Sequence, residues 1–281
     1  MTLGEILKRS EEFLARKGIE NAKGDTRRLL AHGLRIAPLQ VLLQLDRPMD
    51  ETELSVLREL VARRGRNEPL QHILGAWAFR HLELKVDARA LVPRPETELL
   101  VDHVLACLKG LASPRVHEVG VGTGAIALSV KRECPQARVS GSDLSEDALS
   151  LCAENARDLG IWLPLLRADL LSPFVPESLD LVVSNPPYIA SAEIASLSPE
   201  VRHDPLLALD GGSDGLEIVR RLVEEARTRL KPGGWLLLEH GWDQGTATRM
   251  LCREGWEDVG TRTDLAGQDR FLAARRSSAP I

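Results

Sequence analysis

The sequence predicts an α/β fold: an open, mostly parallel β-sheet with helices on both faces, preceded by a small all-helical N-terminal domain and a β-hairpin connector. Two patterns lead to this prediction. Apolar residues recur at helical spacing through residues 1–75, with no β-rich run among them. After residue 93, short apolar runs alternate with helical stretches, which is typical of parallel sheets covered on both faces.

The chain of 281 residues is long enough for about two domains. Glycine and proline breaks divide the helical region into several short helices, and the breaks fall at Gly18, Gly24, Pro38 and Pro48. Apolar and charged residues then nearly alternate, which favours a short hairpin. We therefore expect three segments: a helical domain at 1–75, a hairpin connector at 76–92 and an α/β domain at 93–281.

Short apolar runs predict the strands of the α/β domain, at residues 115–119, 138–142, 163–168, 179–184, 234–239, 256–260 and 270–274. Helical stretches at 145–158 and 215–230 lie between strands. A further helix is expected over 96–111, where Glu96 and Glu98 suit the electropositive start of a helix.

The composition excludes several classes of protein. The net charge of −5 disfavours a surface that grips nucleic-acid phosphates. Without a long apolar run or a signal peptide, the chain is expected to be cytoplasmic and to have no membrane partner. The cysteines and histidines lack the spacings of a disulfide framework or a metal site, so we expect no metal.

A glycine-rich turn, Gly120-Val121-Gly122-Thr123-Gly124, follows the strand at 115–119 and precedes a helix. Glycines let a backbone pass close to a ligand, and such turns lie where α/β sheets bind ligands. The G-x-G-x-G spacing is neither that of a pyrophosphate-binding turn nor that of a P-loop. The turn therefore predicts a nucleoside pocket, with an ordinary tight turn as the alternative.

Two acidic residues end the next two strands. Asp143 can accept hydrogen bonds from both ribose hydroxyls of a nucleoside, as acidic residues at this point of such sheets do. Asp169 ends the third strand, where a side chain can meet an adenine amino group. The alternative is that each aspartate only caps the helix that follows it.

The fourth strand ends in Asn185-Pro186-Pro187-Tyr188. The prolines remove two backbone donors and stiffen the segment, which leaves its carbonyls free to accept. The Asn185 side-chain oxygen and the Pro186 carbonyl can accept both hydrogens of a primary amide or exocyclic amine, aiming the nitrogen lone pair at an electrophile. Tyr188, the only tyrosine, can stack on that planar group or simply pack in the core.

The GVGTG turn, Asp143 and the Asn-Pro-Pro-Tyr segment resemble the S-adenosylmethionine-dependent class I methyltransferases that modify planar amide or amine nitrogens. This group includes N6-adenine DNA methyltransferases and the protein-(glutamine-N5) methyltransferases of peptide chain release factors. The chain is similar to the second kind, the HemK/PrmC family, from about residue 65 onward. The similar stretches are EPLQHILGAWAF, LVPRPETELLV, VSNPPYIA, VRHDPLLALDGGSDGL and LKPGGWLLLEHGWDQG.

The resemblance implies a Rossmann-like class I methyltransferase sheet, S-adenosylmethionine as cofactor, and methyl transfer to the glutamine of the Gly-Gly-Gln loop in class I release factors. We expect the helical domain to recognise this protein substrate, because a hinge-like connector separates it from the cofactor domain. From the net charge we expect no direct nucleic-acid partner, and we expect a monomer. The implied cofactor-binding residues are Gly120, Val121, Gly122, Thr123, Gly124, Asp143, Asp169, Leu170 and Asn185. The implied substrate-binding residues are Asn185, Pro186, Pro187 and Tyr188, of which Asn185, Pro186 and Tyr188 are catalytic.

This chain departs from the family pattern at two positions. Glu118 stands where the family often has aspartate before the glycine turn. Leu170 stands where some members carry an aromatic residue, which puts adenine stacking there in doubt.

Two other enzymes fit parts of the sequence. An α/β-hydrolase would use the G-x-S-x-G match at 211–215, a reaction that needs an acid and then a histidine downstream of the serine. The only histidine after Ser213 is His240, and every acid between them lies in the turn itself, in a predicted amphipathic helix or next to His240. An N6-adenine DNA methyltransferase would hold a flipped adenine with the same Asn-Pro-Pro-Tyr segment. The negative net charge and the lack of a basic target-recognition region argue against it.

Overall fold

A computed structural model describes residues 1–278 of the chain. The chain forms two compact units, the first made of residues 1–76 with 198–203, and the second of residues 77–197 with those from 204 onward. None of the helices in the described residues is long and apolar enough to cross a membrane.

The first unit is helical. Its α-helices are α1 (Leu3–Arg16), α2 (Ala22–Leu34), α3 (Pro38–Leu43), α4 (Glu51–Gly65) and α5 (Leu70–Leu74). Thr2 and Asp50 cap α1 and α4 through reciprocal bonds with glutamates three residues on, which explains why these helices begin where they do. Leu14, Leu29 and Leu30 are fully buried in its core.

A buried ion pair holds the first unit together. Arg64 on α4 donates to Asp25 on α2 over 2.7 Å, and only 6% and 7% of the two side chains are exposed. Arg64 also donates to Glu200 over 2.7 Å and to the Glu68 carbonyl over 3.0 Å. The guanidinium therefore has acceptors on several sides, which offsets the loss of water around its charge.

The second unit contains the sheet. Its strands follow a short hairpin of β1 (Ala76–Phe79) and β2 (Leu82–Lys85), and they are β3 (Arg115–Val119), β4 (Arg138–Asp143), β5 (Leu165–Arg167), β6 (Leu179–Ser184), β7 (Leu230–Glu239), β8 (Trp256–Thr263) and β9 (Asp269–Arg276). Its α-helices are α6 (Thr97–Cys107), α7 (Ala125–Glu133), α8 (Glu146–Asp158), α9 (Glu217–Arg229) and α10 (Gly245–Leu251).

Within the described chain, the sheet has the strand order β5-β4-β3-β6-β7-β9-β8. The pairs from β5 to β7 are parallel, while β9 is antiparallel to both β7 and β8. Apolar side chains form a core on each face of the sheet. The order reverses between β3 and β6, and the crevice at such a reversal is where open α/β sheets bind ligands.

The predicted fold class is confirmed: helices, a hairpin and a mostly parallel sheet follow one another. The element bounds differ in places. The strand predicted at 163–168 spans only Leu165–Arg167, since Pro164 has no N–H to give to the ladder. Antiparallel pairing at the sheet edge extends the last two strands to Thr263 and Arg276. The helix expected over 96–111 ends at Cys107.

We expect Asp25→Ala to lower the free energy of unfolding by about 3 kcal/mol, the lower end of the range for a broken buried ion pair, because Glu200 still faces Arg64. Urea unfolding followed by circular dichroism measures the change. Glu51→Ala is the matched control, since its pair with Arg58 is solvent-exposed. Equal midpoints for the two variants would contradict this account of the ion pair.

Candidate functional site

A cavity of about 140 Å³ lies within the second unit, at the carboxyl ends of β3, β4 and β6. Several residues predicted from the sequence line it: Gly120, Val121, Gly122, Thr123, Asp143, Asn185 and Pro187. Residues 118–123, 143 and 185 are far apart in the chain, and the strand order alone brings them together. The cavity is thus the place where the glycine turn and the Asn-Pro-Pro-Tyr segment meet.

Two glycines of the turn leave room for a ligand. A Cβ atom on Gly120 or Gly122 would have no protein atom closer than 3.8 Å, and both residues line the cavity with positive φ angles. Gly124 is different, because its Cβ would lie 2.7 Å from the Cys152 sulfur and 2.8 Å from Leu128. The first two glycines form a cradle on the cavity side, whereas the third allows the helix to pack.

The Asp143 carboxylate is held in place by backbone donors. Oδ2 accepts from the Gly122 N–H over 3.0 Å and Oδ1 accepts from the Ser145 N–H over 2.9 Å. A carboxylate has about four acceptor positions, so each oxygen keeps one for another donor. Asp143 therefore both fixes the glycine turn and offers acceptors at the cavity.

Glu118 is a buried carboxyl at the base of the cavity. It accepts from the Ala127 N–H over 2.7 Å, in the first turn of α7. Burial raises its pKa well above the ordinary value, and the nearby Asp143 charge acts in the same direction. The glutamate that replaces the family's usual aspartate thus still reaches the start of the helix after the glycine turn.

Asn155 on α8 ties the glycine turn to the hairpin. Its side-chain oxygen accepts from the Lys85 N–H over 2.7 Å, while its NH₂ donates to the Lys85 carbonyl over 3.1 Å and to the Thr123 carbonyl over 2.9 Å. Sequence reasoning did not find Asn155, because nothing in its local pattern shows which backbone it meets.

Asn185 is linked to a buried carboxyl through a hydroxyl. Its Nδ2 lies 3.4 Å from Thr97 Oγ1, and Thr97 donates to Glu239 Oε2 over 2.8 Å. Thr97 and Glu239 are both buried, and burial raises the pKa of Glu239 to about 7. The sequence pattern alone does not predict a role for Thr97 or Glu239.

The rest of the Asn-Pro-Pro-Tyr segment is firmly packed. Pro186 is buried and Tyr188 is partly buried. Burial raises the pKa of the Tyr188 phenol to about 12, so the ring stays neutral at physiological pH. The Tyr188 carbonyl accepts from Gln244 over 2.9 Å. The next residue, Ile189, pairs with Leu209 and Gly211, which brings residues 205–208 to the cavity.

Five of the residues predicted to bind the cofactor or the substrate do not line the cavity. Asp169 pairs with Arg221 over 2.8 Å and is more than half exposed. Leu170 is buried in the apolar core against α9, with a φ of +48°. Gly124, Pro186 and Tyr188 also lie outside the lining. The roles assigned to these five residues stay predictions.

The cavity has further lining residues that sequence reasoning did not assign to the site. They are Arg89, Ala90, Leu91, Pro93, Arg94, Thr97, Glu118, Ala125, Ile126, Ser145, Ala148, Pro205, Leu207 and Ala208. Most fall in residues 89–97 and 205–208. These two ranges overlap the stretches LVPRPETELLV and VRHDPLLALDGGSDGL, which contribute to the family resemblance. Asp204 joins these stretches, since it accepts from Arg94 over 2.9 Å and from the Val92 N–H over 3.3 Å.

Comparison with known proteins assigns this architecture. Residues 5–75 match the profile of the PrmC N-terminal domain, and residues 95–199 match that of the methyltransferase small domain. A release factor glutamine methyltransferase from Geobacter sulfurreducens is 40% identical over 98% of this chain and 96% of its own length. The chain belongs to the release factor glutamine methyltransferase family.

Another family member, the release factor glutamine methyltransferase of Deinococcus radiodurans, is 41% identical over 99% of both chains. A methyltransferase structure from Pyrococcus furiosus superposes with a TM-score of 0.52 at 17% identity, covering 71% of this chain and 91% of its own. That likeness supports the fold alone. The family match extends through the N-terminal helices, which sequence reasoning recognised only as a helical region of suitable length.

Members of this family are S-adenosylmethionine-dependent, and the cavity fits that cofactor. The Gly120 and Gly122 cradle gives backbone access, and the Asp143 carboxylate offers acceptors of the kind that ribose hydroxyls need. We propose that these residues would hold the cofactor.

We expect Asp143→Asn to weaken binding of S-adenosylmethionine by about 10- to 100-fold, because a hydrogen bond to a charged group is worth about 1.5–3 kcal/mol. Isothermal titration calorimetry measures the affinity. Asp169→Asn is the matched control and should bind normally, since Asp169 faces Arg221 rather than the cavity. Equal weakening in both variants would place Asp169 in the cofactor site, as the sequence predicts.

Proposed function

We propose that this chain transfers the methyl group of S-adenosylmethionine to the side-chain nitrogen, N5, of the glutamine in the Gly-Gly-Gln loop of a class I peptide chain release factor. One observation carries the proposal. Asn185 lines the same cavity as the glycine turn, with its amide tethered to Thr97, in a chain whose relatives are named release factor glutamine methyltransferases.

The protein has to make a poor nucleophile react. The lone pair of an amide nitrogen is delocalised into its carbonyl, so the site has to orient the nitrogen and stabilise the positive charge that develops on it. The Asn185 oxygen and the Pro186 carbonyl would accept both amide hydrogens and do both tasks. When bound, S-adenosylmethionine would supply a methyl carbon on a positively charged sulfonium. The methyl–sulfur bond would break as the nitrogen–methyl bond forms, leaving S-adenosylhomocysteine, and the nitrogen would lose one N–H proton to solvent.

The surrounding residues restrict what can enter. Pro187 lines the cavity beside Asn185, and neither proline of the segment has an N–H that would compete for the carbonyls. We assign the neutral Tyr188 ring to packing against the planar amide, because a phenol with a pKa of about 12 keeps its proton at pH 7 and so does not act as a base.

The N-terminal helices complete the proposal. They match the PrmC N-terminal domain over residues 5–75, and we assign them to recognition of the release factor. The cytoplasmic location and the monomeric state expected from the sequence belong to this proposal as well.

We expect the purified chain to transfer label from S-adenosylmethionine to a class I release factor and not to its Gln→Ala variant in the Gly-Gly-Gln loop. Asn185→Ala should lower the rate by about 100-fold, as losing one preorganised hydrogen-bonding group does in other enzymes. Circular dichroism checks that the variant is folded.

Duplex DNA is the third substrate in the same assay. Label on DNA and none on the release factor would overturn the proposal in favour of the N6-adenine alternative. Full activity of Asn185→Ala on the release factor would instead remove Asn185 from the mechanism.

A further inference from the structure

We propose that Thr97 and Glu239 are positioning residues that fix the orientation of the Asn185 side-chain amide, so that its oxygen faces the incoming glutamine. This inference rests on the proposed function, because the orientation of the Asn185 amide matters only if Asn185 holds the substrate glutamine. Thr97 begins α6, Glu239 ends β7 and Asn185 follows β6, so three separate elements meet here.

The position of one proton decides the orientation. An ionised carboxylate can only accept, so the hydroxyl proton of Thr97 lies on the 2.8 Å contact with Glu239 Oε2. The Thr97 oxygen then presents only lone pairs to Asn185, whose Nδ2 lies 3.4 Å away. The NH₂ group of Asn185 therefore turns to Thr97, and its oxygen turns away.

The opposite orientation is disfavoured by the same arrangement. Turning the Asn185 amide round would place its oxygen against the Thr97 oxygen, and no proton would lie between two acceptors. Only 4% of Thr97 and 2% of Glu239 are exposed, so water has little access to repair such a contact. Leaving a buried polar group without a hydrogen-bond partner is unfavourable, which selects one of the two orientations.

The charge of Glu239 determines which way the Asn185 side-chain amide faces. Burial raises its pKa to about 7. Hydrogen bonding by the side chains of Thr97 and Asn185 lowers the pKa, and so does the charge of Arg270 on β9. Glu96 before α6 raises it, and the neutral Tyr188 after β6 also faces the carboxyl. His240 follows Glu239 in the chain, and burial lowers its pKa, which favours the neutral ring.

Protonation of Glu239 would reverse the hydrogen bond. A protonated carboxyl can donate to Thr97, which frees the Thr97 proton for Asn185 and removes the preference for the productive orientation. The ionised form is therefore the active one, so kcat should fall as the pH drops through about 7. Glu239→Gln cannot titrate, and its kcat should lack this inflection.

The test compares Thr97→Val, which keeps the shape and removes the hydroxyl, with Thr97→Ser, which keeps the hydroxyl. Using the full chain and a class I release factor, we expect Thr97→Val to lower kcat by about 10-fold while KM changes little, because misplacement of a reacting group acts on the chemical step. Thr97→Ser should recover most of the loss. Unchanged affinity for S-adenosylhomocysteine, measured by calorimetry, shows that the Thr97→Val site is intact.

A double-mutant cycle shows whether Thr97 acts through Asn185. In the Asn185→Ala background, Thr97→Val should cause no further loss of kcat, because the group it positions is gone. The same 10-fold loss in both backgrounds, or a wild-type kcat for Thr97→Val, would overturn the inference. Failure of the wild-type chain to methylate the release factor would overturn the proposed function instead, so the two failures are distinguishable.

Discussion

The site depends on the register between two neighbouring strands, and a buried hydrogen bond joins them at the site. The Ser184 hydroxyl at the end of β6 donates to the Val119 carbonyl at the end of β3 over 2.7 Å, and these two residues are partners in the strand register. Gly120 and Asn185 follow directly on either side. A slip of one residue would turn every side chain of β6 to the opposite face and separate the Gly120 and Gly122 cradle from the Asn185 amide.

The site combines this fixed backbone with two buried carboxyl groups. Glu118 and Glu239 are both buried, and burial raises the pKa of each. Burying a carboxyl is unfavourable unless hydrogen bonds satisfy it, and each has one: Ala127 donates to Glu118 and Thr97 donates to Glu239. These groups act by orienting neighbours, one at the glycine turn and the other at Asn185, which keeps the polar atoms of the cavity preorganised.

Much of this could be read from the sequence, because hydrophobic periodicity and turn chemistry are local. The strand at 115–119, the glycine turn and the strand at 179–184 were predicted with the bounds that the structure shows. Thr97, Asn155 and Glu239 were not, since their partners lie 88, 70 and 142 residues away in the chain and only the strand order brings them together. Asp169 remains a prediction: its place at a strand end matches the pattern of a cofactor-binding aspartate, and the structure pairs its side chain with Arg221.

The most direct test is a structure of the chain with S-adenosylhomocysteine and a release factor that carries the Gly-Gly-Gln loop. The account predicts that the glutamine side-chain nitrogen lies within hydrogen-bond distance of the Asn185 oxygen and the Pro186 carbonyl, with the Asn185 NH₂ turned to Thr97. A glutamine bound away from Asn185, with the release factor still methylated, would contradict it.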